Sequence, residues 1–315
     1  MTANPLVSII IVSFNTREMT CACIQSVLDE GKGVAQEIIV LDNCSSDGSA
    51  DAIAGRFPDI TLVRSPDNLG FGKGNNVAAE HATGEYILLL NPDTLILDRA
   101  VERLLEFARQ KPQAKMWGGK TLFADGSLNP ASCWAFMTPW SVACGALGLS
   151  SIFPQSSLFN REAYPGWNRD SEREVDLITG CFLLLKRSFW YELGAFDEKF
   201  YVYAEEADLC YRARKQGAIP TVTPTARIVH YGGASENVRS GKLIRLFSGK
   251  ATFIRKHWSP PVASIGVFFM KLHAFLRMTL LGLSGTLRRN DRHKNAASEW
   301  HEVWVARKSW QNGYA

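Results

Sequence analysis

The chain has 315 residues, 46% of them hydrophobic and 21% charged, which is enough apolar material for a packed globular core. Its formal net charge of +4 is small for this length, and nucleic-acid-binding proteins usually carry a larger basic excess on one face, so we expect no nucleic-acid partner. The seven cysteines are scattered and form no Cys-x-x-Cys pair, which indicates neither a disulfide framework nor a zinc site. We expect most of them to be buried, and because the N-terminus has no signal-peptide pattern we expect the chain in the cytoplasm.

The first half alternates short apolar runs with amphipathic segments. The runs at 7–12, 37–41, 60–63 and 86–90 predict buried strands, and the segments at 17–30, 46–57, 71–81 and 98–110 predict helices. This alternation predicts an α/β fold with a doubly wound, mainly parallel sheet. Ligands of such sheets bind at the carboxyl ends of the strands, and polar residues cluster after these runs.

The second half is less regular. Residues 122–175 predict loops and short elements, followed by a strand at 176–186, a helix at 205–216 and strands at 219–222 and 226–229. From about residue 241 the pattern is helical. We therefore expect one catalytic domain over 1–240, with a donor-binding half (1–120) and an acceptor and catalytic half (121–240), and a helical C-terminal region over 241–315.

Residues 262–287 form an apolar stretch that is interrupted by Lys271, His273 and Arg277 and followed by further basic residues. A spanning helix needs about 20 mostly apolar residues with few charges, so this stretch is a poor candidate to span a membrane. The pattern is typical of an interfacial helix on an anionic membrane surface. A core helix or an oligomer contact remains the alternative.

Two common nucleotide-binding motifs are absent. The first 30 residues contain no glycine, which argues against a dehydrogenase-type Gly-x-Gly-x-x-Gly turn, and there is no phosphate-binding Gly-x-x-x-x-Gly-Lys-Ser/Thr loop. Other polar residues follow the strands instead. Asp42, in "LDNCSSDGS", stands where a carboxylate can accept a hydrogen bond from a nucleobase ring N–H, although neighbouring polar residues also suit turns and helix caps.

Two acidic motifs suggest chemistry. In "NPDT", Asn91 and Asp93 follow the fourth apolar run and offer oxygen ligands for Mg²⁺ or Mn²⁺, although Asn-Pro-Asp alone is a common turn. In "YVYAEEADLCYR", Glu205, Glu206 and Asp208 begin a helix. The helix dipole favours acids there, but three carboxylates so close also raise at least one pKa, as a general base requires. Arg212 has the spacing to pair with Asp208 and leave the glutamates available.

His230, in "IVHYGGAS", ends a strand beside two glycines, and a lone histidine is more often structural. Next to a metal–diphosphate site it becomes a reasonable metal or phosphate ligand.

Taken in order, these motifs resemble the large family of inverting glycosyltransferases called family two, with the GT-A type, Rossmann-like nucleotide-diphosphate-sugar fold. The resemblance covers about residues 6–240 and rests on "VSIIIVSFN", "VLDNCSSDGS", "NLGFGKGNN", "YILLLNPDT", "TGCFLLLKRSFWYELGAFDEKFYVYAEEADLCYR" and "VHYGGAS". Within the family the sequence looks most similar to bacterial rhamnosyltransferases of surface-polysaccharide assembly, such as lipopolysaccharide O-antigen or cell wall.

The resemblance implies roles for particular residues. A nucleotide sugar linked to dTDP or UDP would be bound by a set of donor-binding residues: Ser13, Asn15, Asp42, Asn68, Gly70, Gly72 and Asn91. A divalent metal, Mg²⁺ or Mn²⁺, would be bound by Asp93 and His230, and Asn91 stands where the family's Asp-x-Asp motif has its first acid. Glu206 occupies the position of the catalytic base, with Glu205 as the alternative. The acceptor would be a saccharide or a lipid-linked sugar.

Two other functions fit part of this pattern. A nucleotidyltransferase also combines a doubly wound sheet, a nucleotide and a metal, but usually needs a glycine-rich basic loop after its first strand. A non-catalytic module that binds nucleotide sugars or polysaccharides is the second alternative, although two acid clusters exceed what binding requires.

Overall fold

The structure is a computed structural model that describes residues 5–232 and 239–314. Residues 233–235 of the "VHYGGAS" motif lie outside the described residues. The described chain groups into two compact units. The first comprises 5–134, 167–201 and 205–232, and the second comprises 135–166, 202–204 and 239–314.

The first unit contains the β-strands. They are β1 (Val7–Ser13), β2 (Gln36–Asp42), β3 (Thr61–Arg64), β4 (Tyr86–Leu90), β5 (Thr94–Leu97), β6 (Met116–Leu122), β7 (Cys133–Trp134), β8 (Arg173–Glu174), β9 (Leu177–Ile178), β10 (Phe182–Lys186) and β11 (Thr221–His230). Its helices are α1 (Arg17–Glu30), α2 (Ser49–Arg56), α3 (Phe71–Ala79), α4 (Ala100–Gln110), α7 (Arg187–Glu192) and α8 (Glu205–Lys215). The second unit contains α5 (Pro139–Ala146), α6 (Leu149–Ile152), α9 (Arg239–His257), α10 (Pro260–Leu287), α11 (Asp291–Val305) and α12 (Arg307–Trp310).

The main sheet has the strand order β3-β2-β1-β4-β10-β6-β11-β5, and β8 pairs with β11. Strands β1 to β4 are parallel, which confirms the predicted α/β fold. Each residue of β1 is buried because the sheet is covered on both faces, as its unbroken apolar run indicates. The parallel order brings the carboxyl ends of β1, β2 and β4 to one edge.

Strand β10 lies between β4 and β6 and is antiparallel to both, so the sheet is mixed. The predicted strand at 176–186 is in fact two strands, because β9 pairs with β7 in a separate two-stranded sheet and residues 179–181 connect it to β10 in the main sheet. The two strands predicted at 219–222 and 226–229 form one strand, β11, with a register shift between Val222 and Arg227. Pro224 lies inside this irregularity, where a residue without an N–H is tolerated.

Each unit has its own apolar core. The sheet residues of the first unit pack with α1 and α4. In the second unit, α9 to α12 enclose a separate cluster that includes Phe247, Trp300 and Trp310. The helical pattern predicted from residue 241 is therefore confirmed, and residues 135–166 group with these helices. Six of the seven cysteines are buried, as predicted, and Cys44 is exposed.

Candidate active site

The loops after β1 and β2 are joined by hydrogen bonds at the sheet edge. Ser13 and Asp42 are paired in register at the ends of these parallel strands. The backbone N–H of Asn15 donates to Ser45 Oγ at 3.0 Å, and Asn15 Oδ1 accepts from the Ser46 N–H at 2.8 Å. The Ser13 hydroxyl is fully buried and bonds to Thr20 Oγ1 at 2.9 Å. Ser13 therefore anchors α1, while Asn15 holds the two loops together.

Only one of the two carboxylate oxygens of Asp42 accepts a hydrogen bond from the described residues. Its Oδ2 accepts a hydrogen bond from the Ser45 N–H at 3.1 Å. Its Oδ1 is buried and has no hydrogen-bond partner among the described residues. A buried carboxylate oxygen without a donor is costly unless a ligand supplies one. This geometry fits the predicted contact with a nucleobase N–H.

A third loop, 68–70, is held by Asn43, which the sequence argument did not single out. Asn43 Nδ2 donates to Asn68 Oδ1 and to the Gly70 carbonyl, both at 3.1 Å, and Asn43 Oδ1 accepts from the Leu69 N–H at 2.8 Å. Gly70 has φ 77° and ψ −174°, a region open essentially to glycine alone. A Cβ at Gly70 would also overlap the carbonyl oxygen of Tyr201. The conformation of this loop thus depends on Asn43 and on glycine at position 70.

The same loop lies next to the acidic helix α8. The Phe71 N–H donates to the Tyr201 carbonyl at 2.9 Å. A Cβ at Gly72 would lie 3.2 Å from the Phe200 carbonyl oxygen and 3.7 Å from the Cβ of Glu205. The structure therefore brings two predicted donor-binding glycines to the start of the helix with the candidate base.

Asp93 and His230 lie together because β5 and β11 pair antiparallel. Thr94 is opposite His230 in this ladder, and the Tyr231 N–H donates to the Asp93 carbonyl at 3.0 Å. Asp93 Oδ1 and His230 Nε2 are 3.4 Å apart, and Asn91 Nδ2 is also 3.4 Å from His230 Nε2. The three residues predicted near a metal and diphosphate thus form one cluster.

The electrostatics of this cluster favour an ion pair. Burial alone would raise the pKa of the Asp93 carboxyl, but the hydrogen bond and charge of His230 hold it below its usual value. Burial would lower the pKa of His230, but Cys181 and Asp93 raise it to about 10. In the absence of other ligands, His230 is therefore protonated at neutral pH and Asp93 is ionised.

The donor atoms of this cluster fit a divalent cation. Asp93 Oδ1 and His230 Nε2 face each other in this cluster, and Asn91 Oδ1 is buried with no hydrogen-bond partner among the described residues. In residues 5–232 and 239–314, no group of three or more His, Cys, Asp or Glu side chains could hold a metal, so Asn91 would have to be the third protein ligand. Mg²⁺ is commonly held by one or two carboxylates together with substrate phosphates, which suits so small a set.

At the start of α8 the carboxylates occupy different environments. Asp208 is fully buried and pairs with Arg212 at 2.8 Å, which confirms the predicted pairing. Glu205 is buried, and its burial together with the charge of Glu206 raises its pKa well above the usual value. Glu206 is partly exposed. A buried carboxyl with a raised pKa next to a partly exposed carboxyl is a recurring arrangement in acid–base catalysis.

The family of the chain follows from comparison with known proteins. Residues 8–190 match the family described as Glycosyl transferase family 2, which is more than half of the chain. The chain belongs to this family. The predicted class, a family-two glycosyltransferase, is therefore confirmed. Membership of this family favours glycosyl transfer over the two alternatives, nucleotidyl transfer and binding without catalysis.

Similar proteins narrow the class. The N-acetylglucosaminyl-diphospho-decaprenol L-rhamnosyltransferase of Mycobacterium tuberculosis is 28% identical over 209 residues, which cover 62% of this chain and 66% of the relative. Rhamnosyltransferase WbbL of Escherichia coli is 27% identical over 173 residues, covering 51% of this chain and 61% of the relative. The chain thus spans slightly less than two thirds of the length of these relatives.

A solved structure supports the fold. The mannosyltransferase PcManGT from Pyrobaculum calidifontis, in complex with GDP-Man and Mn²⁺, aligns with a TM-score of 0.56 at 17% identity. The alignment covers 98% of this chain and 88% of that chain. At this identity the likeness establishes the glycosyltransferase fold and leaves the ligands of this chain to be argued from its own residues.

Besides Asn43, two further residues of the site were not predicted from the sequence. Cys181 contacts His230, and its carbonyl accepts from the Asn91 N–H at 3.2 Å. Asn129 donates from Nδ2 to the His230 carbonyl at 3.0 Å and so fixes the end of β11. Both come from segments that reach the site only through the antiparallel part of the sheet. The local sequence carries no signal for either contact.

Proposed function

We propose that the chain is an inverting glycosyltransferase that moves rhamnose from a thymidine diphosphate carrier to a hydroxyl of a saccharide or lipid-linked acceptor in bacterial surface-polysaccharide assembly. The observation that carries the proposal is the pair of glutamates at the start of α8, one buried with a raised pKa and one accessible, beside the 70–72 loop. The names of the relatives support rhamnose as the donor sugar. Uridine diphosphate is the second carrier to test.

The donor nucleotide binds at the edge formed by the first two parallel strands. Asp42 Oδ1 accepts from the nucleobase ring N–H, and Asn15 keeps the flanking loops in place. The 68–70 loop lies along the nucleotide, in the conformation that Asn43 and Gly70 impose. With the nucleoside bound in this way, the diphosphate points toward the cluster of Asn91, Asp93 and His230.

The cluster of Asn91, Asp93 and His230 binds the leaving diphosphate. Asp93, His230 and Asn91 would hold Mg²⁺ or Mn²⁺, and such a cation, when bound, neutralises the negative charge that develops on the departing diphosphate. Asn91 replaces a carboxylate of the family motif, so the cluster carries one negative charge fewer. We therefore expect weaker metal binding than an Asp-x-Asp pair would give.

Glu206 acts as the general base. It accepts the proton of the acceptor hydroxyl while that oxygen attacks the anomeric carbon, and the bond from this carbon to the diphosphate oxygen breaks on the opposite face. A single displacement inverts the anomeric centre. No general acid is needed because the diphosphate is already a good leaving group. Glu205 is the alternative base, but its raised pKa and burial suit a neutral carboxyl.

The two glutamates allow a matched test. Glu206→Gln should abolish transfer and leave donor affinity unchanged, as measured by turnover and by calorimetric titration with the nucleotide sugar. Glu205→Gln should keep most of the transfer, because an amide replaces a carboxyl that is already neutral. The reverse result would move the base to Glu205, and full turnover in both variants would refute the mechanism. The anomeric configuration of the product, read by NMR, tests inversion.

The compartment follows from the donor. Nucleotide sugars are made in the cytoplasm of bacteria, so the chain would act there, on the inner face of the plasma membrane when the acceptor is lipid-linked. Fractionation of cells that express the full chain tests this location.

A further inference from the structure

Helix α10 has one packed face and one exposed apolar face. Its packed face contacts α5, α9 and α11 within the second unit through small and apolar residues such as Ala263, Val267, Met270 and Ala274. Its opposite face carries exposed large apolar residues: Ile265, Phe268, Phe275, Leu280, Leu283 and Leu287. The last three are 60%, 61% and 81% exposed, which is unusual for leucines of a packed helix.

The exposed face is continuous and uncharged. From Ile265 to Leu287 it extends about 33 Å along the helix. The outward positions lie within an arc of about 140° and include Phe269, Leu272 and Leu276, which are partly exposed. No charged residue lies on this arc. A surface of this size seldom remains in water on a monomeric protein.

The basic residues that interrupt this segment in the sequence do not lie on the exposed face. Lys271 donates to Gln311 Oε1 at 3.1 Å, and Arg277 donates to Ser151 Oγ at 3.1 Å. His273 Nδ1 lies 2.9 Å from the Gly145 carbonyl oxygen. All three contacts are within the second unit. The sequence therefore understates how apolar the outward face is.

The segment that packs on α10 also exposes large apolar residues. Helix α5 contacts α10, and the chain around α5 and α6 exposes five further large apolar residues: Trp140, Leu147, Ile152, Phe153 and Leu158. Twelve of the seventeen exposed large hydrophobic residues of the described chain belong to the second unit. Apolar exposure is thus concentrated in one unit.

Cations follow the apolar face. Arg288 and Arg289 are exposed directly after α10 and Arg292 is exposed in the first turn of α11, and none of the three has an ion-pair partner among the described residues. Basic residues beside an apolar helical face match the charge of anionic phospholipid headgroups. A second copy of the chain offers no such match, because its own exposed α10 face carries no acidic residue to pair with the arginines.

We propose that the exposed face of α10 lies in the headgroup–acyl boundary of an anionic phospholipid membrane and anchors the chain peripherally. By length and composition alone α10 could cross a bilayer. A crossing helix would be surrounded by lipid, whereas one face of α10 is packed against α5, α9 and α11, and α11 is rich in charged residues. The helix therefore lies along the membrane surface with one side in lipid. The proposal does not depend on the transfer chemistry.

The test is co-sedimentation of the full chain with phosphatidylcholine vesicles, with and without phosphatidylglycerol. We expect binding to the anionic vesicles. Leu280→Ser with Leu283→Ser should weaken it about tenfold per leucine, because each side chain loses its transfer into lipid. Replacing Arg288, Arg289 and Arg292 with alanine should weaken binding to anionic vesicles about fivefold per arginine and leave binding to neutral vesicles unchanged.

A leucine on another helix serves as the control. Leu28, 39% exposed on α1 of the first unit, can be replaced by serine with no expected effect on vesicle binding. Circular dichroism melts establish that each variant is folded. The proposal is overturned if the wild type does not bind anionic vesicles or if the double leucine variant binds as well as the wild type. It is also overturned if the wild type is a dimer in lipid-free solution that the leucine variant converts to a monomer.

Discussion

Replacing Gly70 with alanine should disrupt the link between the 68–70 loop and α8. The backbone at Gly70, with φ 77° and ψ −174°, costs about 1–3 kcal/mol for a residue with a side chain. The added Cβ would also overlap the Tyr201 carbonyl, so the hydrogen bond from the Phe71 N–H at 2.9 Å would be lost, at about 1 kcal/mol. We therefore expect a loss of about 3 kcal/mol in the free energy of unfolding.

Urea denaturation followed by fluorescence measures this change. Gly55→Ala is the matched control, because Gly55 lies in α2 with no atom within 4 Å of an added Cβ. That substitution should stabilise the chain by about 0.5–1 kcal/mol, since alanine favours the helix. If Gly70→Ala were as stable as the wild type and bound the donor equally well, the structural role assigned to this loop would be refuted.

Two further predictions concern buried charges. Arg212→Met should destabilise the chain by about 3–5 kcal/mol in urea denaturation, because it removes one member of a buried ion pair. Arg64→Met, whose salt bridge is exposed, should cost less than about 1 kcal/mol. Equal losses in the two variants would contradict this reasoning. His230 has a pKa of about 10 in the folded chain against 6.5 ordinarily, so its contribution is fully present below pH 6.5 and is lost as the pH rises toward 10. In chelator-treated protein, the stability difference between wild type and His230→Asn should therefore shrink over this range, and a constant difference would contradict the ion pair.

The parallel half of the fold could be predicted because its signals are local. Helix α1 begins and ends at the predicted residues, and β4 does too. Each of these segments combines a clear hydrophobic period with turn residues at its ends. Asp42 was singled out as a candidate for the same reason, because it ends an apolar run at the sheet edge.

The antiparallel half could not be predicted in the same way. The apolar residues of 176–186 suggested one strand, but the chain passes from one sheet to the other at residues 179–181, where the Thr179 hydroxyl donates to the Ala131 carbonyl at 2.7 Å. The contacts of Cys181 and Asn129 with His230 depend on strands that are distant in sequence. Pairings of this kind are set by the assembled sheet, so no single segment encodes them.

The exposed face of α10 shows a different limit. Hydropathy along the chain mixes the outward leucines with Lys271 and Arg277, which face other parts of the unit. Only the three-dimensional packing separates the two faces. The sequence alone therefore left three interpretations open, an interfacial helix, a core helix or an oligomer contact, and the structure was needed to argue among them.

The central claim, a nucleotide-sugar site completed by a divalent metal at Asp93, is tested most directly by thermal shift. Wild-type chain, Asp93→Ala and the exposed-site control Asp59→Ala are heated with thymidine or uridine diphosphate, with and without Mn²⁺. At a ligand concentration a hundredfold above its dissociation constant, binding stabilises the native state by about 2.7 kcal/mol. We predict a metal-dependent rise in melting temperature for the wild type and Asp59→Ala that is absent in Asp93→Ala. No rise with either nucleotide in the wild type, or an equal rise in Asp93→Ala, would contradict the account.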